Sequence, residues 1–102
     1  MVESLRFPKS CRKSALAARA LALLMIRTSI VSKSEELRAP LKHMMRMNLV
    51  RTLASTRPDL TNYKDITTAY RITLKSLARR YVELHDEIGD LDKIIARIAQ
   101  TH

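Results

Sequence analysis

The clearest hydrophobic pattern lies in the last third of the chain. Apolar side chains fall at Tyr70, Leu74, Leu77, Tyr81, Leu84, Ile88, Leu91, Ile95 and Ile98, in steps of 4, 3, 4, 3, 4, 3, 4 and 3. That alternation is a heptad repeat sustained over four turns of the pattern. It predicts one long helix from about Asp65 to Thr101. Leu74, Tyr81, Ile88 and Ile95 take one core position, and the other five take the second. At about 1.5 Å per residue the helix is roughly 55 Å long. A lone helix cannot shelter such a stripe, so it must pair within the chain or with another chain. In a parallel homodimer Arg80 would meet His85, and Glu87 would meet Asp92. Neither pair is attractive, so antiparallel packing, or packing onto the first helix, is favoured.

Upstream the pattern is less regular. Met1–Lys9 reads as extended, because Phe7 precedes Pro8 and a residue before proline is pushed out of the helical region. Ser10 can cap a helix from about Cys11 to Val31. The middle of that helix, ALAARALALLMI, is apolar on most sides, which predicts burial between other elements. Ser32 and Glu35 form a capping box for a short helix, Ser34–Ala39, ended by Pro40. A third helix covers about Lys42–Thr56. Its apolar surface is Met44, Met45, Met47, Leu49, Val50 and Leu53, with the methionines read as core filling. Arg57-Pro58-Asp59 breaks the chain, and Thr61–Lys64 is a loop.

Composition sharpens this into an all-α chain, a helical hairpin or small bundle with a long C-terminal coiled-coil helix. The 102 residues contain a single glycine, Gly89, and good helix formers dominate. Glycine-rich phosphate loops and many-stranded sheets are therefore disfavoured. Gly89 lies off the stripe, where it permits a close approach or a bend. The lone Cys11 allows no internal disulfide and no cysteine-based zinc set, which fits a reducing cytoplasm; it reads as a small apolar residue. The apolar run Ala15–Ile26 is too short to cross a bilayer, which needs about 20 residues. No membrane association is expected from it. The Arg-, Ser- and Ala-rich stretch Ser4–Ser34 also has the composition of a transit peptide, but nothing after it resembles a mature enzyme.

Charge divides the chain. Residues 1–64 hold 13 Lys+Arg and 4 Asp+Glu, giving +9; residues 65–102 hold 6 of each, giving zero. The first part favours an anionic partner. Arg6, Lys9, Arg12, Lys13 and Arg19 place five cations in 14 residues without an acid, a nucleic-acid signal. Arg79 and Arg80, following Arg71 and Lys75, form a second basic patch suited to phosphate. Aromatic residues are too few for a base-stacking platform. His43, His85 and His102 are isolated, and Glu83, Asp86, Glu87, Asp90 and Asp92 read as a solvated face. No catalytic, cofactor-binding or metal-binding set is expected.

The segment LKSLARRYVELHDEIGDLDKII (Leu74–Ile95) resembles a stretch of the DEDD-type insertion-sequence transposases that carry an additional catalytic serine, the insertion-sequence one-ten family of bridge-RNA-guided recombinases. The opening LRFPKSCRKSALAARALALLMI and the stretch Glu36–Pro58 are similar to that family in the same order. The resemblance implies three segments. Residues 1–9 would be the extended edge of a missing N-terminal RNase-H-like domain, 10–64 a basic helical region, and 65–102 the coiled coil. The acidic tetrad would lie before Met1 and the serine domain after His102, so none of the catalytic positions carries over. It also implies DNA and guide RNA as partners, homo-oligomerisation through the coiled coil, and a bacterial cytoplasm. LHDEIGDLDKIIARIA further resembles the first helix of the all-helical chorismate mutases, but the helices that would complete that site do not follow it here; the alternative to a transposase fragment is a stand-alone coiled-coil adaptor or a small basic nucleic-acid-binding protein.

Overall fold

The computed structural model describes residues 3–31, 41, 44–58 and 65–101. Three helices organise them: α1 (Glu3–Val31), α2 (Arg46–Ser55) and α3 (Ile66–Gln100). No strand occurs among the described residues. The all-α expectation holds, and so does the hairpin, because α1 and α3 share the most extensive interface. The expected Ser34–Ala39 helix with its capping box, and the Thr61–Lys64 loop, lie outside the described residues, as do His43 and His102.

α1 and α3 run antiparallel. Arg12 pairs with Asp92, and Arg19 meets His85 seven residues further along one helix and seven earlier on the other. The heptad stripe therefore finds its partner inside the chain. Tyr70, Leu74, Leu77, Tyr81 and Ile88 are buried, together with Ala78, which the spacing alone did not mark. They pack with Ala22, Ile26 and Ile30 of α1 and with Leu49, Val50 and Leu53 of α2. α2 lies against α3 as well, so the core is thickest over the first half of α3. Beyond Ile88 the stripe lies along the first half of α1, and Leu91, Ile95 and Ile98 are half-buried. The molecule is accordingly long and thin, 55 × 28 × 17 Å.

Three expectations are corrected here. Residues 3–9 are helical, not extended, with Phe7 and Pro8 inside α1 and Ser10 well within it. Proline in the second turn removes only the hydrogen bond that would reach Ser4, and the Arg6–Glu3 ion pair at 3.3 Å spans the same turns. Second, α1 is buried on one side only. Ala15, Ala22, Ile26 and Ile30 face the core, while Leu21, Leu24 and Met25 face outward. The run that looked apolar all round has one face in the core and one that no element among the described residues covers. α1 as a whole is long and apolar enough, by length and composition, to cross a membrane, unlike the 12-residue run taken alone. Third, α2 starts at Arg46, with Met45 extended and 77% exposed. Of the methionines read as core filling, Met44 and Met47 pack against the core and Met45 does not. Cys11, read as a small apolar residue, is a free thiol on the exposed side of α1.

The helix ends follow local chemistry. Asp65 sits at the N-terminus of α3, where its carboxylate accepts from the Thr68 hydroxyl at 3.3 Å and opposes the positive end of the helix. At the other end the Thr101 hydroxyl donates to the Ile98 carbonyl at 2.8 Å. Gly89 lies on the exposed side of α3, and a Cβ added there would meet nothing within 4 Å. It serves no close approach.

Candidate nucleic-acid interface

The five N-terminal cations do not form one free surface. Arg6 is tied to Glu3 within its own helix. Arg12 is tied to Asp92, an ion pair joining helices 80 residues apart in sequence. Arg19 is half-buried; a terminal guanidinium nitrogen lies 2.9 Å from His85 Nδ1, and the guanidinium sits 5.8 Å from the centre of the Tyr81 ring. A guanidinium can only donate, so His85 Nδ1 is the acceptor in this contact. The His85 ring in turn stacks on Tyr81 with centroids 6.3 Å apart. Arg12 and Arg19 are thus clamps of the α1–α3 interface. Lys9 and Lys13 remain exposed, beside Arg12, Leu16, Asp92 and Ile95, around a shallow depression.

The second basic patch is larger than the sequence indicated. Thr56 closes α2, its backbone N–H and its hydroxyl both donating to the Leu53 carbonyl, at 3.3 and 2.7 Å. Pro58 then keeps Arg57 out of the helical conformation. The chain leaves α2 with Arg57 beside the outer face of α3, where Ile72, Lys75, Ser76, Arg79, Arg80 and Glu83 follow at helical spacing. Together with Pro58 they line an open groove of about 590 Å³. Four cations and one carboxylate leave it a local charge of +3. None of the four cations takes part in an ion pair among the described residues, where the pairs are Arg6–Glu3 and Arg12–Asp92. The order Arg79 or Arg80 before Glu83 is also the weaker one for a helical ion pair.

This groove brings Arg79 and Arg80 together with Lys75 and adds Arg57 and Ser76, which the sequence reading missed. Arg71 is exposed but does not line it. Arg57 could have been suspected from its place directly before the proline that ends α2. Two arginines offering paired donors, a lysine and a hydroxyl form a donor set for phosphate oxygens. Ile72, Pro58 and the aliphatic stems of the basic side chains line its floor, and the four cations above them suit the groove to an anion. No cluster of metal-ligating side chains occurs among the described residues. Burial pushes the Tyr70 phenol above the usual 10.0, and it belongs to the core, not to this surface.

No family model, curated protein or solved structure matches the chain.

Proposed function

We propose that this chain is a nucleic-acid-binding helical module of transposase origin, one that supplies a paired-helix scaffold and a phosphate-binding surface and no catalytic group. The observation that carries the reading is the groove of Arg57, Lys75, Arg79 and Arg80, cations gathered from two elements and left without carboxylate partners among the described residues. The resemblance of Leu74–Ile95 to the insertion-sequence transposases supplies the parentage. DNA or a structured guide RNA is the ligand, held by its phosphates. Lys9 and Lys13 add a weaker, peripheral attraction. Arg6, Arg12 and Arg19, although part of the same basic run, serve the helix and the hairpin instead.

Binding of a labelled DNA duplex and an RNA hairpin, followed by fluorescence anisotropy across a salt series, tests the nucleic-acid half. Contact by the four groove cations gives a log–log salt slope of roughly −3 to −4 on duplex DNA. Affinity that does not change with salt overturns the reading. Translation of the flanking DNA tests the parentage. A frame with an RNase-H-like acidic set on one side and a serine domain on the other supports it, and unrelated neighbouring genes overturn it.

A further inference from the structure

A second basic depression lies across the hairpin from the groove. Lys9, Arg12, Lys13 and Leu16 share one face of α1, at helical spacing. Asp92 and Ile95 of α3 meet them there, and the six residues line a space of about 390 Å³. Three cations and one carboxylate leave it a local charge of +2. The carboxylate is already in use, because Asp92 Oδ1 accepts from Arg12 Nε. Lys9 and Lys13 enter no ion pair among the described residues. A pair that only joined two helices would need one cation; here three converge on one acid. The side chains of Arg12 and Asp92 are 37% and 52% exposed. Water reaches both partners, and exposed pairs of this kind hold weakly.

We infer that Lys9, Arg12 and Lys13 form a second phosphate site whose internal occupant is Asp92: the carboxylate takes the place of a phosphate, and a phosphate-bearing ligand has to displace it. A carboxylate and a phosphate offer a guanidinium the same thing, anionic oxygens for its charge-assisted N–H donors. A single carboxylate cannot neutralise the two lysines as well, whereas successive phosphates of one strand can. The groove at Arg79 differs in this respect, since Glu83 pairs with none of its cations among the described residues. Asp92 lies nine residues beyond Glu83 and on the side of α3 that faces α1, so the two sites are separate. The chain therefore holds one phosphate site open and a second one closed by its own acid. The nucleic-acid reading supplies the natural ligand of this second site; the site itself rests on the placing of Asp92 among the three cations.

Asp92→Asn tests this, because the amide keeps an acceptor for Arg12 and removes the charge. Asp90→Asn is the control: it changes the net charge equally, is exposed, and does not line the depression. Inorganic pyrophosphate is titrated at constant ionic strength while the Arg12 Nε–H resonance is followed by NMR, with circular dichroism to show that each variant is as helical as the parent. Asp92→Asn should lower the apparent Kd by about fivefold, the effect of one unit charge at contact distance in water. Asp90→Asn should stay near the parent value, and adding Lys9→Ala/Lys13→Ala to Asp92→Asn should remove the gain. Duplex DNA is then titrated in a Lys75→Ala/Arg79→Ala background, which weakens the groove. There Asp92→Asn, by freeing Arg12 for one phosphate, should steepen the salt slope by about 0.9 and raise affinity about eightfold at about 0.1 M salt, measured from a reference near 1 M. An unchanged pyrophosphate Kd in Asp92→Asn, an equal gain from Asp90→Asn, or a gain that survives the loss of Lys9 and Lys13 overturns the inference. Pyrophosphate binding with the expected pattern, in a chain that binds no DNA or RNA, supports the site and refutes the nucleic-acid function instead.

Discussion

Arg19→Ala separates a structural cation from a nucleic-acid contact. Arg19 donates to His85 Nδ1 at 2.9 Å and lies 5.8 Å from the centroid of Tyr81, which is itself almost wholly buried. A hydrogen bond from a charged donor contributes about 1.5–3 kcal/mol where it is buried. The low end applies, since Arg19 is only half-buried. The cation–π contact adds about 0.5–1 kcal/mol. Alanine returns a few tenths through helix propensity. The net loss is about 2 kcal/mol. Urea unfolding followed by circular dichroism reads this as a midpoint lower by about 1 M, given slopes of about 1–3 kcal/mol/M for a small domain. Lys13→Ala, on the exposed side of the same helix, stays within about 0.5 kcal/mol. Combining Arg19→Ala with His85→Ala gives a coupling of about 1 kcal/mol, because the two share one contact. Nucleic-acid affinity, measured where the variant is fully folded, is unchanged. A stability loss below about 0.5 kcal/mol together with a large loss of affinity would refute the assignment of Arg19 to the hairpin.

Three further outcomes follow from the packing. Gly89→Ala raises stability by about 0.5–1 kcal/mol, since the added methyl meets nothing within 4 Å and glycine is costly inside a helix; a thermal melt that falls would reveal a contact at that face. Ile26→Ala removes a fully buried side chain between the helices and costs about 2–5 kcal/mol in urea unfolding. Tyr70 bears on alkaline pH: its phenol is raised above 10.0 by burial, so its contribution is fully present below pH 10 and is lost as pH rises through the higher folded value. Tyr70→Phe should flatten the fall in melting temperature above pH 10, and an equally steep fall in the variant would assign it to other groups.

The fold was legible where the signal is local and periodic. The stripe from Tyr70 to Ile98 repeats at 3.5 residues regardless of what it packs on, and the flanking charges at Arg80, His85, Glu87 and Asp92 disfavour a parallel homodimer and leave packing onto the first helix open; the antiparallel direction of α1 and α3 comes from the structure. Burial within α1 was not legible, because an apolar run carries no marker of which side meets the core. Ala22 and Leu24 differ in burial only through the position of α3. The extended start failed because the bias before Pro8 is a preference of one residue, outweighed here by continuation of the helix on both sides. The candidate site divides along the same line. Lys75, Arg79 and Arg80 share a helical face and could be grouped by spacing. Arg57 joins them through a tertiary contact, and Asp92 claims Arg12 across 80 residues. A dense basic run in sequence was therefore a poorer guide to free cations than a sparser one.

The most direct test of the account compares two pairs of neutralised lysines and arginines in one salt titration with duplex DNA. Lys75→Ala/Arg79→Ala removes half the cations of the groove, and Lys9→Ala/Lys13→Ala removes the exposed cations of the N-terminal run. With each phosphate contact contributing about 0.9 to the slope, the groove pair should flatten it by nearly 2 and the N-terminal pair by much less. Circular dichroism should show both variants as helical as the parent chain. A groove pair that binds with the parent slope, beside an N-terminal pair that loses binding, would contradict the placing of the phosphate site between α2 and α3.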